Sequence, residues 1–240
     1  MNRGEVEIFL PCRAGSERVP HKNTRPFAGH ANGLIERKLT QLAGVTFADR
    51  IVLDSNDPLV LAVGQAERKR WAGRAELIVR ERPNDLGRST TTTDSLINYA
   101  LSHTAAEFLV WTHVTSPLAD TAFYERAWTA FVDGRASSRD SLMAVTPVRG
   151  FIWSRTGPMN YDPDPIRWPR TQDIEPLYDV NSALFIVPTA IGRRRGDRIG
   201  DKPLLFDTTP TEAVDIDWPD DFDLAELLVE RHRNSLVTKI

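Results

Sequence analysis

Short apolar runs alternate with amphipathic stretches through most of this 240-residue chain, and that rhythm restricts the fold more than any other feature. Ile51-Val52-Leu53, Leu77-Ile78-Val79, Phe108 to Trp111, Leu142 to Val145 and Ala183 to Val187 read as buried strands. Between them, Leu34, Ile35, Leu39 and Leu42 recur at near-helical spacing, which predicts a helix over about 33–43. Asp57 followed by Pro58 supplies an N-cap and a first turn for a helix reaching about Trp71. The threonine run from Thr90 to Thr93 leads into a helix carrying Leu96, Ile97, Ala100 and Leu101. Tyr124, Ala127, Trp128 and Phe131 fall at i, i+3, i+4 and i+7, with Asp120 and Gly134 placed to stop that helix at either end. Strands alternating with helices imply a parallel-rich sheet covered on both faces. Ligands in such sheets sit beyond the carboxyl ends of the strands, so the loops at 13–23, 54–57 and 113–117 should share one rim.

The length fits a single α/β domain over residues 1–240. At 41% hydrophobic and 26% charged residues, the chain can build a full core without disulfides. A net charge of −3 gives no overall basic field, so no nucleic-acid partner is expected. Cys12, the single cysteine, has no internal disulfide partner and fits a reducing cytoplasm. It reads as a small buried residue at a strand end rather than a catalytic thiol. The polar N-terminus does not resemble a signal peptide, and no apolar run approaches the ~18 residues needed to cross a membrane. The expectation is a cytoplasmic protein without a membrane partner. The rhythm fails between about Pro147 and Val180, where Pro158, Pro163, Pro165, Pro169 and Pro176 accompany Trp153 and Trp168. Prolines at this density argue against long helices and central strands. The aromatics suit an interaction arm inserted at about 148–180.

Two stretches carry chemistry. Ile8 to Asn23 begins as an apolar strand and breaks at Pro11 into a loop holding Gly15, Ser16 and three cations, Arg13, Arg18 and Lys22. A small-residue turn at a strand's carboxyl end can aim backbone N–H groups at an anion, and cations around it would neutralise a polyphosphate. It is not a Walker A loop, since no Gly-x-x-x-x-Gly-Lys-Ser/Thr pattern occurs. Near the other end, Val214-Asp215-Ile216-Asp217 reads as a strand projecting Asp215 and Asp217 to one side and Ile216 to the other. Paired carboxylates repel unless a cation lies between them, and a hard divalent ion bridging to phosphate is the usual solution. Alternatively, one of the two caps the helix containing Phe222, Ala225 and Leu228.

Taken together, these residues resemble the CMP-sugar synthetase family, the cytidylyltransferases that activate acylneuraminate and related acidic sugars. Cys12 to Asn23, Cys-Arg-Ala-Gly-Ser-Glu-Arg-Val-Pro-His-Lys-Asn, is similar to the family's N-terminal signature. Arg82-Pro83, Leu86 and Thr93-Asp94 resemble its nucleoside-binding segment, and Thr115-Ser116-Pro117-Leu118 a further loop. Arg170, Gln172, Pro176, Tyr178 and Asn181 follow the pattern ahead of its Asn-Gly-Ala strand. Val214 to Asp217 with Pro219, Asp221, Phe222, Ala225 and Glu226 resembles its metal motif and closing helix.

The resemblance implies a three-layer α/β/α Rossmann-like nucleotidyltransferase fold with a mostly parallel sheet and a small dimerisation arm. It also implies attack by an acceptor oxygen on the α-phosphorus of CTP, with release of pyrophosphate. Arg13, Arg18, Lys22, Asp215 and Asp217 would be the catalytic set. Arg13, Ala14, Gly15, Ser16, Lys22, Asn23, Arg82 and Thr93 would bind the nucleotide. His113, Arg170, Gln172, Tyr178 and Asn181 would bind an acidic acceptor, Asp215 and Asp217 would hold Mg2+, and the protein would be a homodimer. Departures from the family pattern are Glu17 for its usual Lys, His113 and Val114 for Gln-Pro, Ser182 for Gly and Ser89 for Asp. They cluster on the acceptor side, which points to an acceptor other than ordinary N-acetylneuraminate: another nonulosonate, a 3-deoxy-ulosonate or a phosphonate. Two other readings are a glycosyltransferase, since Asp-x-Asp also marks sugar-nucleotide sites, and a nucleotide-binding homologue without catalysis.

Overall fold

A computed structural model describes residues 5–237. Strands β1 (Val6–Pro11), β2 (Arg50–Ser55) and β3 (Glu76–Glu81) alternate with helices α1 (Gly33–Ala43), α2 (Pro58–Lys69) and α3 (Thr93–His103). Then follow β4 (Phe108–Trp111), α4 (Thr121–Ala136) and β5 (Ser141–Val148). A small hairpin, β6 (Trp153–Ser154) and β7 (Gly157–Pro158), precedes β8 (Leu177–Pro188), α5 (Thr189–Arg195), β9 (Pro203–Asp207) and α6 (Pro219–Val237). The main sheet has the order β3-β2-β1-β4-β8-β5-β9. Only β8 runs against its neighbours β4 and β5; the other pairings are parallel.

Alternation along the central strands divides the core in two. Val6, Ile8 and Leu10 of β1 face a cluster with α1, α2, α4 and α6, through Leu34, Leu39, Val60, Phe123, Phe131 and Phe222. Phe9, Val52, Leu109 and Trp111 face the opposite cluster, closed by Ile97, Ala100 and Leu101 of α3 and Ile191 of α5. These are the three layers expected from the strand–helix rhythm. No helix of the described residues is long and apolar enough to cross a membrane.

Local chemistry sets most boundaries. Asp57 Oδ1 accepts from Leu59 N at 2.9 Å at the start of α2, and Asp120 Oδ1 accepts from Phe123 N at 2.9 Å at the start of α4. Gly134 does not end α4, which continues to Ala136. Gly134 instead lets the helix lie close to β9, where an added Cβ would stand 3.2 Å from Leu204 Cδ2.

The proline-rich excursion is shorter than the sequence suggested. β5 and β8 continue to pair beyond the other strands, Thr146 opposite Asp179 through Val148 opposite Leu177, with Pro147 inside the ladder. Regular structure therefore resumes at Leu177 rather than Ala183. Proline is tolerated because this projecting ribbon is not a central part of the sheet. The rest of the excursion, 149–176, which includes the β6–β7 hairpin, is held by Phe151 against Tyr161 and Trp168, and by Asn160, which accepts from Ile152 N and donates to Gly150 O.

Candidate active site

The basic loop is stapled to the carboxyl end of the sheet. Cys12 N donates to Asp54 O at 2.9 Å, extending the β1–β2 ladder by one bond. The chain then turns, and Ala14 N donates to Asn56 Oδ1 at 3.0 Å while Asn23 Nδ2 donates to Arg13 O at 3.2 Å. Gly15 sits at φ +74°, a left-handed conformation that disfavours any side chain even though the space around it is open. Cys12 is buried, and burial pushes its thiol up to about 12, as befits a packing residue and not a nucleophile.

Arg13, Ser16, Glu17, Arg18, Lys22 and Asn23 line one side of a cleft of about 370 Å³. Arg82, Leu86, Arg88 and Thr91 to Thr93 form the other side, and His113, Val114 and Thr115 close the end beyond β4. Segments after β1, β3 and β4 thus share a rim, and the loop after β2 does not line the cleft but joins the basic loop through Asn56. Helix α3 starts at this cleft with Thr93, so its partly positive N-terminus faces an incoming anion.

Arg82 lines the cleft but is chiefly a buried partner of Asp54. Its Nε donates to Asp54 Oδ1 and its Nη2 to Asp54 O at 2.8 Å, while Tyr99 OH donates to Asp54 Oδ2 at 3.1 Å. Asn56, beside them, packs so closely on Gly87 that an added Cβ would stand 2.2 Å from its Nδ2. Glycine is needed there for space, which keeps Asn56 aimed at the basic loop.

The carboxylate pair meets the basic loop directly. Arg18 Nη2 lies 2.9 Å from Asp217 Oδ1, Lys22 Nζ lies 4.0 Å from the same oxygen, and Lys22 Nζ donates to Ile216 O at 2.6 Å. Segment 214–217 is not a strand; it joins the rim through one backbone bond, Ile216 N to Thr115 O at 2.9 Å. The alternation still holds in part, because Ile216 is fully buried while Asp217 is half-exposed. Neither aspartate caps the final helix. Asp221 does so, with Oδ2 accepting from Asp217 N and Trp218 N at 2.9 and 2.7 Å.

Asp215 Oδ1 is buried without a partner. Burial, supplemented by the Asp217 charge, holds the Asp215 carboxyl above the ordinary aspartate range. Burial likewise lowers Lys22, against the pull of Asp217 and Asp215. An orphaned carboxylate oxygen beside a second carboxylate fits a hard divalent ion. Among the described residues no third His, Cys, Asp or Glu joins them, so water and phosphate oxygens would complete the shell.

The loop that carries Thr115 is pinned from below by residues the sequence did not single out. Lys38 of α1, fully buried, donates from Nζ to Ser116 O, Ala119 O and Tyr124 OH at 2.8, 3.1 and 2.8 Å. Burial holds it well below the usual lysine range. Arg37 Nε and Gln41 Nε2 both donate to Pro117 O at 2.8 Å. A lysine on an amphipathic helix reads as a solvated residue, and no local signal marks this one.

The residues assigned to the acceptor do not all converge. His113 lines the cleft, with Nε2 accepting from Trp111 Nε1 at 2.7 Å. Burial and the nearby Arg198 guanidinium depress it to about 3. Asn181 is instead a tie within the sheet: Nδ2 donates to Thr208 Oγ1 and Thr146 Oγ1, and Oδ1 accepts from Ala183 N. Arg170, Gln172 and Tyr178 lie on the arm and ribbon, exposed, and do not line the cleft of their own chain.

No family model matches the chain. A CMP-N,N′-diacetyllegionaminic acid synthase of Legionella pneumophila is 26% identical, over 97% of this chain and 99% of that protein. A solved CMP:2-keto-3-deoxy-manno-octonic acid synthetase complexed with CTP superposes with a TM-score of 0.63 at 14% identity, covering 95% and 99% of the two chains. A 4-diphosphocytidyl-2C-methyl-D-erythritol synthase from Anaerococcus prevotii gives 0.67 at 10% identity, covering 94% and 96%. Over nearly its whole length in sequence, and in fold, the chain resembles the CMP-sugar synthetases.

Proposed function

We propose that this protein is a cytidylyltransferase that transfers CMP from CTP to an acidic acceptor of the nonulosonate type and releases pyrophosphate. The observation that carries the reading is the 2.9 Å contact between Arg18 and Asp217. It brings the cationic loop and the carboxylate pair together, although Arg18 and Asp217 lie 199 residues apart in sequence.

In this reading Arg13, Ser16, Arg18 and Lys22 grip the triphosphate. Loop backbone around Ala14 and Gly15 approaches it closely, and Asn23, Arg82 and Thr93 border the cytidine. Phosphoryl-type transfer depends mainly on positioning and charge neutralisation, which such preorganised donors supply. Arg18 and Asp217 hold each other until phosphate arrives; Arg18 then turns to the phosphate and Asp217 is released beside Asp215. Those two carboxylates would hold Mg2+, which when bound screens phosphate charge and favours deprotonation of the acceptor hydroxyl. The exposed Trp153, Ile166 and Trp168 of the arm suit burial against a second copy, which would make the enzyme a homodimer, and its single cysteine suits a reducing cytoplasm. Arg170, Gln172 and Tyr178 would then serve the partner's acceptor pocket.

The test is a pyrophosphate-release assay with CTP, Mg2+ and a panel including N,N′-diacetyllegionaminic acid, other nonulosonates, 2-keto-3-deoxy-manno-octonic acid and phosphonates. Release with one acidic sugar, and feeble release with N-acetylneuraminate, is expected. Absence of release across the panel, with CTP bound, would reject the enzyme.

A further inference from the structure

Arg198 belongs to none of the motifs above and does not itself line the cleft, yet its guanidinium approaches His113, which does. Its Cζ stacks 3.7 Å from the Phe185 ring centroid and 5.3 Å from that of Trp111. Among the described residues it has no carboxylate partner; its polar side-chain contact is a long 3.5 Å approach of Nη1 to His113 Nε2. Asp197 beside it uses Oδ1 on the Arg198 backbone N–H. Burial lowers the guanidinium to about 10. A guanidinium carries five N–H donors; the charge of neighbouring Asp197 acts on this one without forming an ion pair with it, which leaves donors for a further anion.

The tautomer of His113 follows from its neighbours. An indole N–H can only donate, so Trp111 Nε1 makes His113 Nε2 an acceptor, and the proton of the neutral ring lies on Nδ1. Nδ1 has no hydrogen-bond partner among the described residues, and His113 lines the cleft. The charged groups bearing on the ring are Arg198, Lys38, Lys22 and Arg82, all of which oppose its protonation.

We propose that Arg198 is the counter-charge for a carboxylate on the acceptor, with His113 held by Trp111 as a neutral Nδ1–H donor beside it. The identity of the ligand rests on the cytidylyltransferase reading; the state of His113 does not. Stacking on Phe185 fixes the plane of the fork, which suits a planar carboxylate presented edge-on.

The experiment is NMR on the full chain with 15N-labelled histidine. In the wild type, His113 shows one protonated nitrogen, Nδ1, and no titration between about pH 5 and 8. Arg198→Met keeps a stem over Phe185 and raises the His113 pKa. With CTP present, N,N′-diacetyllegionaminic acid or 2-keto-3-deoxy-manno-octonic acid should move the Nδ1 signal. Arg198→Met should weaken that acid roughly tenfold to a hundredfold, with CTP affinity unchanged. A wild-type His113 protonated on Nε2, neither acid moving its signal, or equal acid binding by Arg198→Met would each overturn the proposal. Acids that bind here without pyrophosphate release would sink only the proposed reaction.

Discussion

Arg82, backed by Asp54, lines one wall of the cleft and Lys22, beside Asp215 and Asp217, another, and both walls take charge out of water. They resolve it differently. On the first wall each partner is used: Asp54 accepts from Arg82 and Tyr99, and Arg82 also reaches the Asp54 carbonyl. On the second, Asp215 Oδ1 is buried without a donor, and Asp217 is held by a half-exposed arginine that can leave. A buried charge with its partners present is architecture. One whose partners are missing or detachable is a place for a ligand.

The sharpest way to break this contrast is Arg82→Leu. It leaves Asp54 buried and half-unpaired, so the fold should lose about 3–5 kcal/mol, read by urea denaturation. The family resemblance implies a nucleotide-binding role for Arg82. A well-folded Arg82→Leu whose defect was confined to CTP binding would mean that its binding role outweighs its structural one.

Asp217→Ala should act the other way. Its carboxylate is half-exposed, so the denaturation midpoint should hardly move, while pyrophosphate release falls roughly a hundredfold to a thousandfold. A variant that unfolded, or that kept its activity, would erase the difference between the walls.

Asp215→Asn sharpens the comparison further. Because the folded carboxyl titrates above its unfolded value, its ionisation costs stability at neutral pH, and that cost vanishes as pH falls through the folded pKa. The amide removes the charge. The variant should be more stable than wild type at pH 7 by on the order of 1 kcal/mol, about 2–4 °C in melting temperature. The advantage should shrink toward acid pH, and activity should be lost at every pH. Calorimetry across pH checks the sign.

The same contrast explains what was legible in the sequence. Periodicity gave α1 and the central strands because those residues are buried by local pattern, and Asp57 and Asp120 announced their helices as caps. The basic loop and Asp215-Ile216-Asp217 could be found because each is a compact local run. Segment 214–217 reads as a strand in sequence because alternation is also what an extended loop shows when one side packs and the other is wet. Lys38 and Arg198 were invisible because their meaning is tertiary. Lys38 sits on a helix like any solvated lysine, and Arg198 follows Arg193, Arg194 and Arg195 like one more surface cation. Only the carbonyls over Lys38 and the rings under Arg198 distinguish them.

The smallest expected effect lies on the loop itself, at Glu17. This exposed carboxylate lines the cleft between Ser16 and Arg18, where the family signature carries lysine. It lies among the cations proposed to grip phosphate and partly cancels their field. Glu17→Lys should therefore lower the KM for CTP a few-fold and leave kcat nearly unchanged. An exposed charge near a polyphosphate contributes to ground-state attraction and is screened by solvent. The gain should shrink as salt is raised from about 0.05 to 0.5 M, since the screening length falls over that range. A large rise in kcat would instead mean that position 17 touches the transferring phosphate, and the open wall would then begin at Glu17 and not at Arg18.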